Sequence, residues 1–214
     1  MSSGDVAILD LGIGNLLSVQ RALEHLGLKV LTTNDPDLIV KQQKIILPGV
    51  GSFSEGIKSI RKNNIDEALV DSVKKGASVL GICLGMQMLF ESSNEFEVNY
   101  GLNFIEGIVE KIPNVNKRGE NLKVPHTGWA RLQKNQSAKS AEFLLKNIKE
   151  NSFFYFTHSF AASPKHDINI IANCEYGGYL LTAIASSDNV IGCQFHPEKS
   201  GLPGLKVLEN FCEN

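Results

Sequence analysis

Apolar positions follow one rhythm in the first part of the chain and another in the second. "DVAILDLG" (5–12) is a continuous apolar run closed by glycine. "NLLSVQRALEHLG" then sets Leu16, Val19, Leu23 and Leu26 at helical spacing, with Asn15 placed to cap and Gly27 to stop a helix. "LKVLTT" (28–33) and "KIILPGVG" (44–51) predict a second and third strand. Residues 54–75 predict one or two helices with Ile57, Ile60, Leu69 and Val73 on one face, and "ASVLGIC" (77–83) predicts a fourth strand. The strong helix formers from Leu84 through Met86, Met88 and Leu89 to Phe90 and Glu91 predict a helix directly after it. Strands alternating with helices give an α/β fold. Its mostly parallel sheet is covered by helices on both faces, with the ligand site at the strand ends.

The second half is built from short β-branched and aromatic segments between polar turns: "FIEGIVEKI", "LKVPHTGWARL", "SFFYFTHSF", "INIIANCEY", "LLTAIASS" and "NVIGCQFHP". These predict hairpins or a mixed, antiparallel β extension of the sheet. A last helix follows in "GLPGLKVLENFCEN", with Leu205, Leu208 and Phe211 on its apolar face. No repeat or linker marks a boundary, so 1–214 reads as one domain.

Composition narrows the function. At 214 residues, 43% hydrophobic and 21% charged, the chain can bury a sizeable core. A net charge of −2 and a pI near 6.2 argue against nucleic acid or an anionic membrane as the main partner. The start of the sequence has no signal-like segment and no apolar run reaches transmembrane length, which predicts a cytoplasmic protein. Cys83, Cys174, Cys193 and Cys212 lie far apart without metal-ligand spacing and read as reduced thiols, most of them packing residues.

One cysteine stands in a different setting. Cys83 lies in "GICLG", at the joint between strand and helix, the thiol counterpart of a GxSxG elbow. The glycines permit a sharp turn, and the helix start favours a thiolate. By itself a buried structural cysteine is as good a reading. A thiol nucleophile needs a base and a group to orient it, and "QFHPEKS" supplies His196 and Glu198, which an extended backbone would project to the same side. "LPGVGSF" ends a strand in a glycine-rich turn whose backbone N–H groups can meet a developing oxyanion. "LGIGN" (11–15) lacks the third glycine and the acidic residue of a dinucleotide fingerprint, so no nucleotide site is expected there. His25 and His166 fall in polar settings. His126 and His158 belong to no ligand cluster, so no metal is expected.

In order along the chain, "PGVGSF", "GICLGMQ", "VPHTGW", "YFTHSF" and "GCQFHPEKSG" resemble the class I, triad-type glutamine amidotransferases, and among them the glutaminase subunits of imidazole glycerol phosphate synthase. The resemblance spans essentially the whole chain. It implies that Cys83 attacks the side-chain amide of glutamine, that His196 moves the proton and that Glu198 orients His196. It also implies oxyanion donors at Val50, Gly51 and Leu84, and substrate contacts from Gly49, Gln87, Glu95, Thr157, His158 and Ser159. No cofactor is implied. The implied partner is a (β/α)8-barrel cyclase subunit, docked at Asn15, His126, Trp129 and Lys199, whose bound nucleotide would switch on the glutaminase by turning a backbone amide near Val50. Leu11, Ala130, Phe160 and Ala161 depart from the family's usual residues, and all lie in motifs that meet the partner or flank the pocket. A paralogous glutaminase, feeding an amidotransferase of surface-polysaccharide sugar synthesis, stays open as the alternative.

Overall fold

The computed structural model describes residues 5–12, 14–136 and 140–214; the chain start and Ile13 of "LGIGN" lie outside the described residues. The first half alternates as its pattern predicts: β1 (Val6–Leu9), α1 (Leu16–His25), β2 (Val30–Thr33), α2 (Pro36–Ile39), β3 (Lys44–Gly49), α3 (Phe53–Lys62), α4 (Ile65–Lys74) and β4 (Ser78–Cys83). The 54–75 region resolves into two helices, parted by Asn64 in a left-handed conformation with φ 53°. Asn15 occupies the N-cap of α1, but its side chain makes no capping hydrogen bond. The single turn α2 was not expected.

After Cys83 the structure departs from the sequence expectation. The helix α5 (Leu84–Met88) is only five residues long, and Phe90 and Glu91 already belong to strand β5 (Phe90–Ser93). The stretch is buried on all sides, so helical spacing carries little information there. Pairing settles it: Phe90 lies opposite Ile105, and the Glu91 carboxylate accepts from Gly107 N–H at 2.6 Å. The remaining elements are β6 (Asn99–Tyr100), β7 (Ile105–Lys111), β8 (His126–Lys134), β9 (Phe153–His158), β10 (Phe160–Pro164), β11 (Ile170–Tyr176), β12 (Tyr179–Ser187), β13 (Val190–Cys193) and α6 (Gly201–Glu213).

Nine strands form one sheet in the order β2-β1-β3-β4-β13-β12-β11-β8-β9. Pairing is parallel from β2 to β13 and antiparallel from β13 to β9, the expected mixed extension. β10-β7-β5-β6 make a second, four-stranded sheet. Side-chain alternation divides the core. Val6, Ile8, Ile46, Leu80 and Ile82 pack with Val19 and Leu23 of α1 and Val207, Leu208 and Phe211 of α6. Leu9, Ile45, Leu47 and Val79 pack with Ile57 and Ile60 of α3, Ile65 and Leu69 of α4, and Met86 and Met88 of α5. Both faces of the parallel half are thereby covered, and the carboxyl ends of β3 and β4 are left to carry the site. No helix among the described residues is long and apolar enough to cross a membrane.

Candidate active site

The β4–α5 joint is a tight elbow. Cys83 has φ 55° and ψ −109°, a sparsely populated conformation for a residue with a side chain. The turn closes so tightly that a Cβ on Gly85 would stand 1.8 Å from the Leu47 carbonyl oxygen, and one on Gly81 would stand 2.7 Å from the Gly85 backbone. Both glycines of "GICLG" are therefore required by space rather than by φ. The elbow holds the Cys83 sulfur against the Thr157 carbonyl (3.9 Å) and the Gln194 side-chain amide (3.6 Å).

His196 and Glu198 meet as predicted, by a different local route. His196 is extended (φ −96°, ψ 98°), but Pro197–Lys199 form a turn of 3-10 helix that folds Glu198 back onto the ring. Nδ1 of His196 lies 2.9 Å from Oε1 of Glu198, with both side chains at most 3% exposed. Burial works against a charged imidazole, but the neighbouring Cys83 sulfur and the Glu198 carboxylate outweigh it and raise His196 to about 9. Cys83 acts on the ring by proximity, since Nε2 has no hydrogen-bond partner of full geometry. Nε2 and the Glu198 Oε2 are the buried side-chain atoms left without one among the described residues. An orphaned nitrogen beside a thiol is free to take its proton. Burial raises the Cys174 thiol to about 12, Cys212 to about 11 and Cys193 well above its ordinary value, and all four cysteines of the chain are free thiols.

A cavity of about 500 Å³ opens over Cys83 and His196, lined by Val50, Gly51, Leu84, Gln87, Glu95, Thr157, His158 and Ser159. All but one of the predicted oxyanion and substrate residues line it. Gly49 lies behind, paired with Cys83 across β3 and β4, where a Cβ would press on Leu84 and Gly85 at 3.1 Å. Gly51 has φ +106°, and Leu84 opens α5, so its N–H falls in the turn that lacks intrahelical acceptors. Gln87 donates both its amide hydrogens, to the Phe160 carbonyl and to Gln194 Oε1, each at 3.0 Å. One Glu95 oxygen accepts from Phe53 N–H at 2.6 Å, at the start of α3.

The residues expected at the partner face are less uniform. Asn15 is half-buried, Lys199 exposed and Trp129 55% exposed. His126 is a correction: expected at the partner face, it is 3% exposed, stacked on Tyr176 and Phe156, with Nδ1 3.1 Å from His158 Nε2. The pairing of β8 with β9 sets the two histidines opposite each other and turns the ring inward. His25 is exposed at the end of α1, and His166 lies beside Glu106 at 3.4 Å. Sequence reasoning missed Phe96 and Pro125 on the cavity wall, and Gln194, which is completely buried. A signal for Gln194 existed: it is a polar residue directly after an apolar strand, two positions before His196. Among the described residues no group of three or more His, Cys, Asp or Glu side chains is placed to hold a metal.

Residues 7–214 match the family model for class-I glutamine amidotransferases. Similar curated proteins include the imidazole glycerol phosphate synthase subunit HisH of Acinetobacter baylyi, 43% identical over 208 residues and 97% of each chain. Another is subunit HisH 1 of Legionella pneumophila strain Lens, 40% identical over 209 residues, covering 97% of this chain and 98% of that one. Among solved structures, a glutamine amidotransferase crystal structure shares the fold with a TM-score of 0.72 at 20% identity, over 97% of this chain and 99% of that one. The chain belongs to the class-I glutamine amidotransferase family.

Proposed function

We propose that this chain hydrolyses glutamine to glutamate and ammonia and passes the ammonia to a (β/α)8-barrel cyclase subunit, which forms imidazole glycerol phosphate and aminoimidazole carboxamide ribotide in histidine biosynthesis. The observation that carries the chemistry is the elbow cysteine beside a buried, carboxylate-paired histidine at the floor of one cavity. The full-length similarity to histidine-pathway subunits supports the pathway, and the surface-polysaccharide alternative is not favoured.

The steps follow from the geometry. His196 Nε2 takes the Cys83 thiol proton, and the sulfur attacks the side-chain amide carbon of glutamine. The amide oxygen becomes an oxyanion, and we assign its donors to the backbone N–H groups of Leu84 and of the Val50–Gly51 turn, which line the cavity. Collapse breaks the C–N bond; the imidazolium returns its proton to the departing nitrogen, and ammonia leaves a γ-glutamyl thioester. Water, deprotonated by His196, then attacks the thioester and releases glutamate and the thiol. With both its N–H groups engaged, Gln87 offers glutamine only its Oε1, an acceptor suited to the α-ammonium, and the Glu95 oxygen not bound to Phe53 suits the same charge.

Ammonia freed into neutral water is protonated and loses its nucleophilicity, so the product must pass directly to a docked synthase. We assign Asn15, Trp129 and Lys199 to that docking face and the cytosol to the complex. The test is glutamate release by the purified chain, alone and with the cyclase subunit and its ribonucleotide, with Cys83→Ala as control. Activation that depends on Cys83 is expected. Absence of activation in folded protein that still reacts at Cys83 with a glutamine-analogue electrophile would move the search to another synthase.

A further inference from the structure

We propose that Gln194 is a positioning residue for the Cys83 sulfur, a donor fixed in place by Gln87 that holds the sulfur on the His196 side of the elbow and favours its charged state. The inference rests on the reading of Cys83 as the nucleophile. Gln194 is 0% exposed, and both ends of its amide are used: Nε2 lies 3.6 Å from Cys83 Sγ, and Oε1 accepts from Gln87 Nε2 at 3.0 Å. The assignment of nitrogen and oxygen follows from the network. The Phe160 carbonyl can only accept, so the Gln87 end facing it, at 3.0 Å, is the NH2. The second hydrogen of that NH2 meets Gln194, which must present oxygen there and therefore nitrogen to Cys83.

A rigid N–H aimed at sulfur does two things. It restricts the χ1 freedom of Cys83, and it binds a thiolate more strongly than a thiol, because hydrogen bonds to an ionised acceptor are the stronger ones. Cys83 is buried at the cavity floor, so water competes little with that donor. Gln194 follows β13, which pairs in parallel with β4, so two adjacent strands of the central sheet fix the distance between donor and sulfur. The chain Phe160 O, Gln87, Gln194, Cys83 also joins the cavity wall to the nucleophile. Gln87 faces substrate with its free oxygen, so substrate contact and sulfur orientation share one hydrogen-bond network.

The test is the pH dependence of Cys83 alkylation by iodoacetamide in the isolated chain, followed by intact mass, with Cys83→Ser marking the labelled site. His196 and Cys193, which act on the sulfur, and Glu198 and His158, which act on His196, stay the same throughout. Gln194→Met keeps the length and removes the donor; Gln194→Glu keeps the shape and turns an acceptor toward the sulfur. Both are expected to move the alkylation profile to higher pH, with the rate at pH 7 reduced about tenfold for Gln194→Met, the value of one hydrogen bond to a charged group, and further for Gln194→Glu. Glutaminase kcat should fall in parallel while KM changes less. A folded Gln194→Met protein, judged by its melting curve, with a wild-type alkylation profile overturns the proposal and leaves the nucleophile standing. Should Gln194→Glu not fold, Gln194→Met alone decides. Glutamate release that survives Cys83→Ala removes the nucleophile reading itself, an outcome the alkylation profile does not mimic.

Discussion

At His196 the two ring nitrogens have separate tasks. Nδ1 is committed to Glu198 at 2.9 Å, which orients the ring and leaves Nε2, in the mechanism proposed above, as the nitrogen that exchanges a proton with Cys83. Glu198 also helps to raise the ring to about 9, so replacing the carboxylate by an amide should lower that value. For Glu198→Gln we expect kcat to fall by about 10- to 100-fold, the worth of one charge-assisted hydrogen bond. His196→Ala and Cys83→Ala should fall further, because they remove the proton acceptor and the bond-forming atom. Steady-state glutamate release, with NMR titration of the imidazole, checks both parts; an unmoved ring titration in Glu198→Gln would refute the electrostatic role. The imidazolium favoured in the fold adds stability that is complete below about pH 6.5 and is lost as pH rises through about 9.

At the scale of elements, the elbow and the β8–β9 pair make opposite demands. Gly85 lies inside α5, where alanine is the better helix former, yet its missing Cβ would stand 1.8 Å from Leu47 O. Gly85→Ala should therefore destabilise by about 3 kcal/mol or more, the range of forced backbone displacement in a packed core. Gly27→Ala, at φ +83° with open space around it, should cost only the left-handed penalty of about 1–2 kcal/mol. Denaturant midpoints for the two variants separate space from conformation. Between β8 and β9, burial lowers His126 and His158 to about 4 each. Both are then neutral in the fold at pH values where the unfolded chain is already protonated. Stability is full above about pH 6.5 and is lost as pH falls toward 4. A His126→Phe variant should show a shallower acid decline in melting temperature; an unchanged slope would contradict burial of His126 as its cause.

These elements also mark the limits of reading by pattern. The parallel half was legible because its strands are continuous apolar runs and its helices carry one apolar face. The meeting of Cys83, His196 and Glu198 was legible because the proposed chemistry needs unusual neighbours: glycines around Cys83, and a carboxylate two residues from His196. What escaped was long-range. Nothing local distinguishes the five-residue α5 from a longer helix, since Phe90 becomes strand only by pairing with Ile105. His126 goes inward because β9 places His158 opposite it. Glu198 reaches His196 through a 3-10 turn, so the correct partner emerged from an incorrect backbone.

At the scale of the whole molecule, the strand beneath the proposed docking face also supports His196, the proposed base. Trp129 projects from β8 at 55% exposure and meets Tyr155 of β9 edge-on at 5.7 Å. The Tyr155 carbonyl accepts from His196 N–H at 2.9 Å, and its N–H donates to Ser200 Oγ at 3.0 Å; Ser200 Oγ in turn donates to the His196 carbonyl at 2.6 Å. A partner that buries Trp129 therefore presses on the residue that fixes the backbone of His196. Two consequences can be separated. If Trp129 is an aromatic anchor of the interface, Trp129→Ala weakens cyclase binding by about 2 kcal/mol, roughly 30-fold in Kd, readable by titration calorimetry. If the Tyr155 contact also carries activation, glutaminase activity stays below the wild-type complex even at saturating cyclase, where affinity no longer matters. We expect both effects, because one ring makes both contacts. Full recovery at saturation would confine Trp129 to affinity and leave activation to the Val50–Gly51 turn, whereas unchanged affinity would remove Trp129 from the docking face.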